Sequence, residues 1–254
     1  MKKIICITGA SSGFGEACAL KFAANQHDLI ITGRRVERLN DVKISLEKKY
    51  GVEVLALVLD VRDRAAVDKA FKDLPAKWKK IDLLINNAGL ALGRDNFEEA
   101  SLDDWETMID TNLKGLLYVS KAVLPLMIPH RSGHIINIGS TAGKQVYQKG
   151  NVYCATKHAV QAISESMRID LLPHKIKVTV IHPGAAETEF SLVRLKQDAE
   201  EAKKVYEGYE PLHAEDIANV VFFTANLPAH VCINELEMTC LAQANAYYLF
   251  KEPV

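Results

Sequence analysis

The chain has 254 residues, of which 48% are hydrophobic and 25% charged, and its net charge is -1 at pH 7. That size suits one large α/β domain as well as two small ones, and the composition is that of an ordinary globular protein. The absence of surplus positive charge excludes a dedicated nucleic-acid binder, and no apolar stretch reaches the length of a membrane span.

Met1-Lys2-Lys3 runs straight into the first apolar segment, so the sequence predicts no signal or transit peptide and a cytoplasmic protein. Residues 3–7 read as a strand. The turn Thr8-Gly9-Ala10-Ser11-Ser12-Gly13-Phe14-Gly15 follows, and residues 15–25 read as a helix. Strand, glycine-rich turn and helix in that order are what a dinucleotide pyrophosphate needs. Glycines let the backbone approach the phosphates, and the helix N-terminus offers unpaired N–H groups and the positive end of its dipole.

A second strand at 28–32 leads into Gly33-Arg34-Arg35 and a helix at 36–50. An acidic residue at this point would bind the ribose 2′-hydroxyl of NAD. Two arginines instead suit a 2′-phosphate through charge-assisted, bidentate bonds, which favours NADP. They also stand where a helix begins, a poor place for cations unless they serve a ligand. The third strand, 53–59, ends in Asp60-Val61 before a helix at 64–73. The Asp60 carboxylate can accept from an adenine amino group or cap the helix that follows.

The fourth strand, 83–85, ends in Asn86-Asn87-Ala88-Gly89. Small residues there leave room for a ribose, and asparagines can tie neighbouring strand ends together. Ser101 and Asp104 read as a capping box opening a long helix over 103–128. Asn112 lies within it, where asparagine is a mediocre helix former, and a local bulge with a polar role is expected. The fifth strand, 133–138, is followed by Ser140, and Tyr153 and Lys157 share one face of a helix at 152–172. A sixth strand at 177–181, a helix at 214–226 and a last strand at 235–238 complete the pattern. Residues 185–211 are rich in charge and poor in core residues, and read as a mobile helical flap over the site.

Several strands are apolar almost throughout, as parallel strands covered on both faces must be. Regular alternation predicts an α/β fold: one domain, 1–254, a Rossmann-type doubly wound parallel sheet of about seven strands with helices on both faces. The five cysteines, Cys6, Cys18, Cys154, Cys232 and Cys240, are odd in number and apolar in context, which predicts reduced, buried thiols. No cysteine or histidine group has zinc spacing, so no metal is expected. The eight histidines are scattered and none is assigned chemistry; His158, beside Lys157, reads as a packing or surface residue.

The ordered set Thr8-Gly9-x-x-x-Gly13-x-Gly15, Asn86-Asn87-Ala88-Gly89, Asn112, Ser140, Tyr153-x-x-x-Lys157 and Pro183-Gly184 resembles the short-chain dehydrogenase/reductase family over essentially the whole chain. Asn87-Ala88-Gly89-Leu90-Ala91-Leu92-Gly93, the run from Asp104-Trp105 to Thr111-Asn112, and Leu227-Pro228-Ala229-His230-Val231 look like the bacterial NADP-dependent 3-hydroxy acid (serine/allo-threonine) dehydrogenases. Ala185-Ala186-Glu187 departs from that pattern, where more glycine is usual.

The resemblance implies roles. Tyr153 would be the general base in alcohol oxidation, its pKa lowered by Lys157 together with the oxidised nicotinamide. Lys157 would also bind the nicotinamide ribose. Ser140 would bond the substrate oxygen, and Asn112 would hold a relay water. NADP would be held by Gly9, Ser11, Ser12, Gly13, Phe14, Gly15, Arg34, Arg35, Asp60, Val61, Asn87, Ala88, Gly89, Tyr153, Lys157, Pro183, Gly184 and Thr188. Arg194 is the candidate anchor for a substrate carboxylate, with Lys144 competing. Homotetramers built on the long helices and the last strand are the family habit. The expected activity is NADP-dependent alcohol–carbonyl interconversion on a small 3-hydroxy acid or β-hydroxy amino acid. The rival readings are a reductase of sugars, diketones or small aldehydes, and an idle NADP(H) sensor.

Overall fold

A strand covered on both faces reads as a nearly continuous apolar run, and the inner strands of this chain come close to that pattern. In the computed structural model, which describes residues 2–252, β1 (Ile4–Thr8), β2 (Asp28–Gly33), β4 (Leu83–Asn86), β5 (Gly133–Ile138) and β6 (Ile176–Pro183) are buried almost end to end. The flanking strands β3 (Val54–Val58) and β9 (Glu235–Met238) are only half-buried, as edges are. Met1, part of the N-terminal expectation, lies outside the described residues.

These seven strands form one parallel sheet in the order β3-β2-β1-β4-β5-β6-β9. Alternate residues of each strand feed opposite faces. Ile5 and Ile7 join Phe22, Leu29, Leu39 and Val221 in one core. Cys6 joins Ile30, Phe71, Leu84, Val123 and Val178 in the other. On the first face lie α1 (Gly13–Ala24), α2 (Val36–Tyr50) and α9 (Ala214–Ala225). There Phe22 meets Phe222 edge-on, with ring centroids 5.2 Å apart. The second face carries α3 (Arg64–Lys72), α5 (Leu116–Met127) and α6 (Asn151–Leu171). Strand order reverses direction between β1 and β4, and ligands of open α/β sheets bind outside the strand C-termini at such a point.

Strand and helix ends fall within a residue or two of expectation, but the long helix differs. It is interrupted into α4 (Leu102–Ile109), a π-helical turn (Asp110–Gly115) and α5. The wide turn falls where Asn112 interrupts the helical pattern, and it carries Thr111 and Asn112 inward. The expected capping box is half-formed: Ser101 Oγ accepts from the Asp104 amide at 3.4 Å, but the Asp104 carboxylate pairs with Lys196 at 2.9 Å. Asp60 does not cap α3. Asp63, the residue immediately before the helix, does, accepting from the Ala66 amide, while Asp60 pairs with Arg62.

Beyond β6 the chain forms β7 (Ala186–Glu187), α7 (Glu189–Arg194), α8 (Ala199–Lys204) and β8 (Leu212–His213). The segment read as a flap is thus helical, and β7 and β8 close it into a two-stranded sheet of its own. Cys6, Cys18, Cys154 and Cys240 are buried, Cys232 is half-buried, and all are free thiols. No helix among the described residues is long and apolar enough to cross a membrane.

Candidate active site

The glycine-rich turn leaves β1 through two left-handed residues, Gly9 (φ +67°) and Gly13 (φ +54°), which a side chain would strain. A Cβ at Gly15 would overlap the Gly9 carbonyl, so this glycine lets α1 seat against the turn. Ser12 stands at the N-cap of α1 without a side-chain capping bond, which leaves the first-turn amides to a ligand. Phe14 packs at the rim of the first core. Asn87 Nδ2 donates to the Thr8 and Gly9 carbonyls at 2.9 and 3.1 Å, and Asn86 Nδ2 to Ser120 and Asn137 at 2.9 and 2.8 Å. These amides fasten β1, β4 and β5 where the order reverses.

At the end of β2, Arg35 donates to Ser11 through Nε and Nη2 and pairs with Glu189 of α7 at 2.9 Å. Arg38 approaches the same carboxylate at 3.9 Å. Burial pushes the Glu189 carboxyl up, but Arg35 and Arg38 outweigh it and hold the group below its usual range. Arg34 is exposed and has no hydrogen-bond or ion-pair partner among the described residues. Asp60 is held low chiefly by its bonds from the Arg62 guanidinium. Val61 is buried against Gly115 of the π turn.

Ser140 follows β5, and Tyr153 and Lys157 rise from the first turns of α6; both are 7% exposed. Ser140 Oγ accepts from the Ala142 amide at 3.1 Å and stands near enough to Tyr153 to pull the phenol's titration down. Lys157 Nζ donates to the Ile138 carbonyl at 2.9 Å and stands 5.9 Å from the Tyr153 ring centre. Burial lowers Lys157 to about 8. Burial pushes Tyr153 well above its ordinary value; Tyr147 adds to this, while Ser140 and Arg194 pull the other way. Lys157 is not among the groups of the chain that pull Tyr153 down; the expected lowering joins it with the oxidised nicotinamide. The ammonium is turned toward a main-chain carbonyl rather than the phenol.

Asn112 Oδ1 accepts from the Leu90 amide at 2.8 Å, and its Nδ2 donates to the Leu90 carbonyl at 2.8 Å and to Thr156 at 3.1 Å. Its side chain is committed to holding the loop after β4 against α6. Gly89 lies between the two: a Cβ there would be 3.3 Å from Asn112 Oδ1 and 3.6 Å from Lys157 Nζ. Ala88 and Pro183 frame the same strand ends, and Gly184 leaves space filled by Gln243, which accepts from the Ala185 amide at 2.7 Å.

Thr188 caps α7 through the Phe190 amide at 3.2 Å. At the other end of α7, Arg194 donates to the Tyr147 hydroxyl at 3.0 Å and to the Gly93 carbonyl at 3.4 Å. Its guanidinium carbon lies 5.6 Å from the Tyr153 ring centre, and Phe190 packs on that ring at 5.7 Å. Lys144, the competing anchor, is instead tied to Glu235. The π turn, β5, α6 and α7 thus bring Asn112, Ser140, Tyr153, Lys157 and Arg194 to one place. Arg34, Arg35 and Asp60 stand apart, at the ends of β2 and β3.

Five neighbours escaped the sequence reading: Arg38, Tyr147, His182, Glu189 and Phe190. Tyr147 was the most accessible of them, a lone aromatic in the polar loop between Ser140 and Tyr153. The others depend on contacts between distant segments.

A family model described as short chain dehydrogenase matches residues 3–199. The chain is 52% identical over 244 residues to the NADP-dependent 3-hydroxy acid dehydrogenase YdfG of Salmonella typhi, covering 96% of this chain and 97% of that one. It is 46% identical over 245 residues to sulfoacetaldehyde reductase 2 of Chromohalobacter salexigens, covering 96% of each. Among solved structures, the closed form of a serine dehydrogenase complexed with NADP+ superposes with a TM-score of 0.92 at 47% identity, over 98% of this chain and 100% of that one. With the glycine turn, the doubly wound sheet and the Ser140, Tyr153 and Lys157 cluster in place, the chain belongs to the short-chain dehydrogenase family.

Proposed function

We propose that this protein is an NADP-dependent oxidoreductase that interconverts an alcohol and a carbonyl on a small 3-hydroxy acid or β-hydroxy amino acid such as serine or allo-threonine. The observation that carries the reading is the buried Tyr153 side chain, with Ser140 close enough to pull its titration down and the Arg194 guanidinium 5.6 Å from its ring centre. The sequence match to a 3-hydroxy acid dehydrogenase supports the same substrate class.

The residues fit the cofactor. Uncapped amides at α1 suit a pyrophosphate, Arg34 and Arg35 suit a 2′-phosphate, and Gly89 keeps the approach to Lys157 clear. Gly9, Ser11, Ser12, Gly13 and Gly15 would line the phosphates, Asp60 and Val61 the adenine, and Asn87, Ala88, Pro183, Gly184 and Thr188 the rest. Bound NADP supplies the hydride acceptor. Everything else falls to the chain. Tyr153 Oη takes the carbinol proton, or returns it in reduction. Ser140 Oγ bonds the substrate oxygen as its charge develops. Lys157 Nζ, held on the Ile138 carbonyl and 5.9 Å from the Tyr153 ring centre, would bind a ribose hydroxyl of the cofactor. Asn112 fixes the Leu90 loop against α6 with its side chain, and would hold the relay water behind Lys157 through its main chain. Arg194, steadied by Tyr147, meets the substrate carboxylate with its planar fork.

Homotetramer assembly in the cytoplasm completes the proposal, supported by family habit and testable by light scattering on the purified protein. The deciding experiment is a screen of hydroxy acids, neutral alcohols and a sulfonate aldehyde with NADP and NAD, scored by kcat/KM. A preference for neutral alcohols over the acids would overturn the substrate class.

A further inference from the structure

His182, in the last turn-ward part of β6, is fully buried, and none of the steps above uses it. Its ring lies against the main chain that carries Ser140. Nδ1 stands 2.8 Å from the Ser140 carbonyl oxygen and 3.2 Å from the Ser140 amide. A Cβ at Gly139 would come within 2.5 Å of Nδ1, so the glycine before Ser140 makes the ring's place.

The other nitrogen faces the helix of Tyr153 and Lys157. Nε2 is 2.7 Å from Gln161 Oε1 and 3.9 Å from the Glu235 carboxylate. Gln161 sits one turn beyond Lys157 on the same face of α6. Its amide nitrogen donates to Glu235 at 2.9 Å and also reaches Glu165, which fixes the amide so that its oxygen points at the ring. Both ring nitrogens therefore face oxygens, and a neutral imidazole has one N–H. The Ser140 amide beside Nδ1 is a donor, so a neutral ring accepts there and donates through Nε2 to Gln161. Burial outweighs the Ser140 bond and Glu235 and, with Lys144 and Lys157, holds His182 below its ordinary value.

We propose that His182 is a positioning residue for Ser140: its ring clamps the Ser140 main chain to Gln161, and so sets the serine hydroxyl relative to the tyrosine and lysine carried on the same helix. The proposal rests on the reading of Ser140 as the group that bonds the substrate oxygen. The clamp spans the two elements whose mutual placement the chemistry needs, β5 and α6. It joins them from beneath, touching no substrate.

The test uses the full-length enzyme with NADP and a 3-hydroxy acid. His182→Phe keeps the ring's shape and removes both nitrogens. It should lower kcat about tenfold, the effect of losing one bond that orders a reacting group, with KM and the directly measured NADP Kd within about twofold. His182→Asn returns a polar group near the Nδ1 position and should restore most of kcat. His182→Gln returns one near Nε2, toward Gln161, and should not. In a Ser140→Ala background, adding His182→Phe should change nothing further. An unchanged kcat in His182→Phe overturns the clamp, as does equal rescue by Asn and Gln, or a loss that persists without the serine. If His182→Phe does not fold, the difference between Asn and Gln still decides. Full activity in Ser140→Ala alone would instead overturn the reading on which the clamp rests.

Discussion

Replacing Arg194 by lysine keeps the positive charge at the mouth of the site and removes the planar fork. Arg194 spends one N–H on Tyr147 at 3.0 Å and one on Gly93 at 3.4 Å, and a guanidinium has five. Donors therefore remain for a carboxylate. A hydrogen bond to a charged group contributes on the order of 1.5–3 kcal/mol, or roughly 10- to 150-fold in kcat/KM. Arg194→Lys should lose at least about tenfold on a 3-hydroxy acid, because one ammonium cannot reproduce bidentate geometry. On a neutral alcohol of the same size it should stay within about twofold. Arg194→Gln also removes a charge that helps pull Tyr153 down from 5.6 Å away. Its loss on the acid should approach the upper end of that range, and its rate on the neutral alcohol should need higher pH. Initial rates of NADPH absorbance change for both substrates, across pH, measure all of this. Equal losses on acid and alcohol in Arg194→Lys would remove Arg194 from substrate binding.

Tyr153→Phe should fold and bind NADP with near-native affinity yet lose nearly all turnover; more than a tenth of the activity remaining would contradict its role as acid and base. Arg34→Ala with Arg35→Ala should raise the NADP Kd by roughly 10- to 150-fold, equivalent to about 1.5–3 kcal/mol, and leave that for NAD nearly unchanged in calorimetry. Equal use of both cofactors by the native enzyme would defeat that reasoning. Lys157 falls from an ordinary 10.5 to about 8 on burial, so the folded state binds fewer protons than the unfolded chain between those values. Stability of the native protein, measured by urea unfolding against Lys157→Met, should therefore rise as pH increases from 8 toward 10.5, by up to roughly 3 kcal/mol. A fall over that window would refute the burial of its charge.

Features written in short-range order were legible before any fold was known. The glycine turn, the two strand-end arginines and the Tyr153–Lys157 spacing are local patterns, and the sheet follows from apolar runs that alternate with helical ones. Asn112 announced a departure from the α-helix, though not that six residues would form a π turn. Local chemistry also misled. Asp60 reads as a cap, but the helix starts at Arg64 and its N-cap is the adjacent Asp63. The pairs Arg35–Glu189, Tyr147–Arg194 and Ser140–His182 were invisible because the crossover connections, not any periodicity, bring them together. Burial escaped as well. The environment that raises Tyr153 and lowers Lys157 belongs to the packed helix and its neighbours, not to the two residues' spacing.

Helix α7 is six residues long, about 9 Å at 1.5 Å per residue, and its two ends bear on the two proposed ligand sites. Glu189 at its start grips Arg35, proposed to meet the nucleotide's 2′ group, while Arg194 at its end leans over Tyr153. Whatever draws Arg35 away from Glu189 loosens the helix that presents Arg194, and whatever anchors on Arg194 restrains Glu189. Two occupants sharing so short a lever cannot bind independently. Each occupant should change the other's affinity, and the coupling free energy must be the same read from either end.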